Sequence, residues 1–226
     1  MALLEVCCGG LESVDAAVAG GARRIELCSA LEVDGLTPPV DWLKAVKGRY
    51  PSLTVHVLVR PRAGNFVYAP DEVETMAVQA GQALEAGADG IVVGALTPSR
   101  DVDEAAMERL LASVDKPVTF HRAFDACRRP FEALEKIIGL GCRRILTSGQ
   151  GPTVTEGADM LRELRKRAGE RIIILPGGGV TPANAVRTLR LTGCTEIHAS
   201  ASEVIDGKKI TSAARVAAIL QTIQKP

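Results

Sequence analysis

Within five residues, His121 to Asp125, the chain sets an imidazole, a guanidinium and a carboxylate. They close the stretch Val118–Asp125, VTFHRAFD. In an extended chain Val118 and Phe120 share one face, and Thr119 and His121 share the other. An acid, a base and a cation at the carboxyl end of a strand read as the working end of an α/β barrel strand. An ion pair that closes a loop accounts for the same residues without chemistry.

The same alternation brings out further groups. In the first strand Glu5 and Cys7 oppose Leu4 and Val6; in the second, Glu26 and Cys28 oppose Ile25 and Leu27. His56, Leu58 and Arg60 share a face in the third, as do Glu196, His198 and Ser200 in the eighth. With apolar faces toward helices, the polar faces point into a barrel, and all three histidines then point inward. A buried charge is costly unless paired, so Glu5, Glu26 and Glu196 are expected to meet Arg60 and the histidines. Concentration at strand ends favours a site over a purely structural network.

Two chemistries fit these residues. For acid/base work on a small anionic, phosphorylated or sugar-like substrate, Glu5, Glu26, His121, Asp125 and His198 are the proton-transfer candidates. Arg60, Arg62 and Arg122 would neutralise its charge. Gly177, Gly178, Gly179 and Ser200 would hold its anionic end, with Pro182 opening the next helix. The loop Arg60–Tyr68, with two arginines and two aromatics, reads as a lid or anion clamp. The other chemistry is metal binding. Cys7 and Cys28 have matching parity on adjacent strands, which lie ~4.8 Å apart. Two soft thiolates suit Cu(I) better than Mg²⁺ or Ca²⁺, and zinc would want four ligands where the pair supplies two. Two buried cysteines filling the barrel mouth are the alternative.

Eight apolar runs must position these groups: Leu3–Cys7, Arg24–Cys28, Thr54–Arg60, Gly90–Ala95, Pro117–His121, Arg144–Ser148, Arg171–Leu175 and Thr195–Ser200. Helical periodicity fills the intervals, as in Asp71–Ala86 and Glu156–Ala168. Glycine phrases such as Gly20-Gly21-Ala22 and Gly87-Ala88-Asp89 end helices before strands, an internal repeat signal. The pattern predicts an α/β fold, a single-domain TIM-like (β/α)8 barrel over residues 1–226. A doubly wound open sheet is the alternative, but its strands are usually apolar throughout.

Lys+Arg and Asp+Glu both number 27 and aromatics make up 3%, which argues against nucleic acid and membrane surfaces as partners. The six cysteines are scattered and form no CxxC, so neither a disulfide framework nor a zinc knuckle is expected. MALLEVCCGG enters a strand without a basic signal region, and a cytoplasmic protein is expected.

Longer phrases carry a resemblance. Glu5-Val6-Cys7, Arg24-Ile25-Glu26-Leu27-Cys28-Ser29-Ala30-Leu31 and Gly35-Leu36-Thr37-Pro38 resemble the CutC family. So do Val59-Arg60-Pro61-Arg62-Ala63-Gly64, Val118–Asp125, Leu175-Pro176-Gly177-Gly178-Gly179-Val180 and Glu196-Ile197-His198-Ala199-Ser200-Ala201. The resemblance covers nearly the whole chain. It implies a cytoplasmic TIM-like barrel, a homo-dimer or homo-tetramer, and copper homeostasis by Cu(I) binding with Cys7 and Cys28 as ligands. Asn65 stands where the family often has Asp, which removes a possible acid from that loop.

Overall fold

The strands are short, several of them alternating polar with apolar residues, and the helices carry apolar stripes, so neither can bury its apolar side alone. In the computed structural model, which describes residues 2–205 and 208–224, they solve this by wrapping one sheet in helices. The strands are β1 (Leu3–Cys8), β2 (Arg24–Leu27), β3 (Thr54–Leu58), β4 (Gly90–Val93), β5 (Val118–Phe120), β6 (Arg144–Thr147), β7 (Ile173–Pro176) and β8 (Glu196–Ala199). The helices are α1 (Leu11–Ala19), α2 (Val40–Arg49), α3 (Pro70–Glu85), α4 (Glu104–Leu111), α5 (Pro130–Gly139), α6 (Ala158–Ala168), α7 (Ala185–Thr192) and α8 (Ala213–Gln224).

The strands are parallel and follow sequence order, with β8 returning to pair with β1. Between β7 and β8 a single parallel bridge, Gly177 to His198, closes the ring. A Cβ on Gly177 would lie 2.5 Å from Leu146 Cδ1 and 3.2 Å from His198 Cβ, so a larger residue at this seam would have to push the Leu146 side chain aside. The eight-unit barrel expected from the alternation is the fold, and the open sheet is not.

The packing follows parity. Leu4, Val6, Ile25, Leu27, Val55 and Val57 join the large cluster between sheet and helices. A separate cluster of Cys7, Cys28, Leu58 and Val92 lies inside the barrel. Helix α3 illustrates the outer layer: Pro70 opens it, Glu72 accepts a hydrogen bond from the Ala69 N–H, and Val73, Met76, Ala80 and Ala83 face inward. Gly87 (φ 97°) then supplies the left-handed turn into β4.

Some local expectations shift. Pro182 does not open α7; it lies in the preceding turn, where Asn184 accepts from the Thr181 N–H and donates to Gly179 O. Arg122–Ala126 forms a 3-10 turn after β5. A two-stranded hairpin, β9 (Ser202–Ile205) and β10 (Lys208–Thr211), stands between β8 and α8. Among the described residues no helix is long and apolar enough to cross a membrane.

Candidate functional site at the barrel mouth

The barrel interior has a charged floor. Glu5, fully buried, contacts Arg24 Nε at 2.8 Å and His56 Nδ1 at 2.9 Å through one oxygen. Its other oxygen meets His198 Nδ1 at 3.0 Å. Arg24 also reaches Glu196, which pairs with Arg144 Nε at 2.8 Å. Burial alone would raise the Glu5 carboxyl, but His198, His56 and Arg24 together hold it well below the usual carboxylate range. The expected partnership is therefore half met: Glu5 finds two histidines, while Arg24 and Arg144, not Arg60, carry the compensating charge.

Above the floor a cavity of about 450 Å³ opens at the carboxyl ends of the strands. Leu58, Phe66 and Leu146 give it apolar walls, and Cys7, Glu26 and His198 line its base. Cys7 is the pivot. Its Sγ lies 3.6 Å from Cys28 Sγ and 3.8 Å from Glu26 Oε1. Ligand atoms of Cys7, Glu26 and His198 all lie within 4.8 Å of one another. The register explains the meeting: Cys7 sits opposite Glu26 on β2, and Glu5, two residues back, sits opposite His198 on β8.

Protonation follows from this crowding. The Cys28 hydrogen bond, burial and the Glu26 charge push the Cys7 thiol well above its ordinary value. Burial lifts the Glu26 carboxyl to about 7, and Oε2 has no partner. Burial works against charging His198, but contacts to Cys7 and Glu5 and the Glu26 charge raise its pKa well above normal. The rim is also strained: Ala30 (φ 51°) and Ala201 (φ 46°) occupy the left-handed region, at ~1–3 kcal/mol each.

The remaining candidates divide. His121, Arg60, Arg122, Gly178, Gly179 and Ser200 line the cavity. Cys28 lies behind Cys7 and is fully buried. Glu5 is below the cavity, in the floor. Arg62 turns away; its guanidinium binds Glu72 and the carbonyls of Asn65 and Val67. Asp125 is occupied by Arg122 Nε, the Thr147 and Ser148 hydroxyls and the N–H groups of Ser148 and Gln150. It fastens the β6 loop. Gly177 is taken up by the closing bridge.

Sequence reasoning missed the grouping of Cys7 with Glu26 and His198, because that depends on β8 lying beside β1. It missed Arg24 and Arg144 too. Arg24 shares parity with Glu26, two residues on, so its signal was present.

A sequential parallel barrel whose carboxyl-end mouth collects two thiols, an imidazole and a carboxylate defines a (β/α)8 protein with a soft-donor centre. The model of the CutC family matches residues 2–203. A CutC family protein of Bacteroides fragilis is 47% identical over 204 residues, covering 90% of this chain and 81% of its own. One from Chromobacterium violaceum is 45% identical over 201 residues, covering 88% and 81%. A solved structure of CutC from Streptococcus agalactiae, described as the candidate copper homeostasis protein, superposes with a TM-score of 0.85 at 32% identity, covering 88% of this chain and 99% of that one. The chain belongs to the CutC family. A KDPGal structure at 17% identity and TM-score 0.64 shares the fold alone.

Proposed function

We propose that this chain serves copper homeostasis by holding one Cu(I) ion in the barrel mouth through Cys7 and Cys28, with His198 as a third donor. The observation that carries this reading is the 3.6 Å separation between Cys7 Sγ, at the base of an open cavity, and Cys28 Sγ, buried directly behind it. Thiolates and imidazole are soft to borderline donors, and a metal displaces the proton that keeps Cys7 neutral. Glu26 lies beside the centre and would accept that proton or orient the thiol. The name given to the Streptococcus agalactiae relative supports copper among soft metals. With His198 and Glu26 beside Cys7, the donor set exceeds the two ligands expected from sequence, so Zn²⁺ is the competitor to test.

Reduced, anaerobic protein should take up about one Cu(I) per chain in competition with a Cu(I) chelator, and should prefer it to Zn²⁺. Cys7→Ser or Cys28→Ser should lower affinity sharply, while Cys142→Ser should not. Equal losses from all three would mean non-specific thiol binding and would end the reading.

A further inference from the structure

Cys28 is the hidden half of the thiol pair: it has no exposed surface, while Cys7 in front of it keeps 9%. A loop helps to hide it. Residues 29–36 leave the barrel directly after Cys28 and fold back over it. The Ser29 N–H donates to Leu36 O at 2.9 Å, and the Leu36 N–H returns to Ser29 O at 2.8 Å, which closes the loop's neck. The 3-10 turn Leu31–Val33 makes its tip. Gly35 brings the backbone down toward the sulfur: a Cβ there would lie 3.7 Å from Cys28 Sγ and 2.9 Å from Leu58 Cδ2.

Among the described residues, Leu31 is the partly buried apolar side chain that packs against the inner cluster of Cys7, Cys28, Leu58 and Val92. It also lines the cavity, and it seats on Gly9, where a Cβ would lie 2.5 Å from its Cδ1. Glu32, Val33 and Asp34, which follow it, are exposed. Leu31 is therefore the one tip residue that reaches inward.

The loop is braced as well as packed. Ala30 (φ 51°) and Asp34 (φ 66°) flank the turn in the left-handed region, which a residue with a Cβ keeps only where its surroundings impose it. Arg60 supplies the restraint. Its Nη1 donates to the carbonyls of Val33 and Gly35, each at 2.8 Å, and Nη2 to that of Gly64 at 2.9 Å. Its own carbonyl accepts the Thr37 N–H at 2.9 Å, and its N–H donates to Thr37 Oγ1 at 2.9 Å. Arg60 is 4% exposed, so these charge-assisted bonds act within the protein and tie the loop over the thiols to the loop after β3.

We infer that Leu31 is a specificity-determining residue of the copper centre proposed above: it keeps water away from the Cys28 side of the thiol pair and so favours Cu(I) over Zn²⁺. The inference rests on the copper reading and concerns the choice of ion at that site. Cu(I) is satisfied by few soft donors. Zn²⁺ wants four, and beside Cys7, Cys28 and His198 it would draw the fourth from Glu26 or from water. An apolar side chain packed on the pair brings no donor and takes the room that water would need.

The test uses the full chain, reduced and freed of metal by chelation. N-ethylmaleimide labels the thiols, and peptide mass spectrometry reads the initial rate at each cysteine. In Leu31→Ala, Cys28 should label about tenfold faster than in wild type, because thiol reactivity follows access. Cys142, buried outside the mouth, should keep its rate, and Leu31→Met should label as wild type does. In the second arm Cu(I) and Zn²⁺ are each titrated against a chelator. The preference for Cu(I) should fall by at least about tenfold in Leu31→Ala and stay in Leu31→Met. An unchanged Cys28 rate, a Cys142 rate that rises with it, or an unchanged ion preference overturns the inference and leaves the copper reading standing. Wild type that takes up no Cu(I) overturns both, and the labelling arm then still shows whether Leu31 covers the thiols.

Discussion

Arg24 and Arg60 are each 4% exposed, Arg24 on β2 and Arg60 two residues past the end of the neighbouring β3, yet their surroundings differ. Arg24 lies between the carboxylates of Glu5 and Glu196, and Arg144 completes an alternating row of charges. Arg60 is held by carbonyls alone, beside a cavity. The floor is a closed electrostatic account, in which each buried charge has its opposite. Both levels hold buried polar atoms without a hydrogen bond, Arg24 Nε, His56 Nδ1 and Arg144 Nη1 in the floor and Arg60 Nε, His121 Nε2 and Glu26 Oε2 at the mouth, but the floor's belong to residues in ion pairs and, among the described residues, Arg60 belongs to none. Unsatisfied buried groups are costly, so a fold tolerates them where something else completes them. The floor reads as scaffold and the mouth as site, although they share His198.

The largest effect should come from opening the floor. Glu5→Ala leaves Arg24, His56 and His198 facing a void where a carboxylate was. Removing one partner of a buried ion network typically costs ~3–5 kcal/mol. Urea unfolding of the variant should show a loss of that order. A loss under about 1 kcal/mol would erase the distinction between floor and mouth.

The sequence carried much of this architecture and less of the site. Alternation in β1, β2, β3 and β8 identified Glu5, Glu26, His56 and His198 as inward residues, since strand parity is local information. Sequential strand order followed from the repeat. Closure brought Cys7 to His198, a relation across almost the whole chain that no local pattern carries. The fate of Arg60 was equally hidden. Its partners are three backbone carbonyls in two loops, and backbone acceptors leave no mark in residue types. Arg62 misled because a surface partner, Glu72 on α3, lay one loop away. The hairpin before α8 escaped notice because Ser202–Thr211 has neither a clear apolar run nor a helical period.

A smaller effect extends the comparison to thiols outside the mouth. Burial, joined for Cys127 by the charges of Asp101 and Asp125, pushes the Cys127 and Cys142 thiols up to about 12. In the unfolded chain such thiols lose their protons near ~8.5. Between these values the unfolded state binds fewer protons than the folded one, so stability falls as pH rises. The slope is up to ~1.4 kcal/mol per pH unit for each thiol. Unfolding midpoints measured from neutral to alkaline pH should drop, and Cys142→Ala should make the drop shallower. An unchanged slope would mean that this thiol ionises as readily folded as unfolded.

The smallest stability change should come from Arg122, and it tests whether a cation at the mouth belongs to the frame. Its side chain is 45% exposed, and its ion pair with Asp125 is the i,i+3 kind that contributes ~0–1 kcal/mol at a surface. Asp125 does not depend on it. The N–H groups of Ser148 and Gln150 and the hydroxyls of Thr147 and Ser148 still hold the carboxylate once the guanidinium is gone. Arg122→Gln should therefore cost no more than about 1 kcal/mol in urea unfolding. It should leave Cu(I) uptake unchanged, because no sulfur or imidazole of the proposed centre touches it. A loss of ~3 kcal/mol or more would put Arg122 in the same class as Arg24. The boundary between frame and site would then move outward, to include the β6 loop and the rim above it.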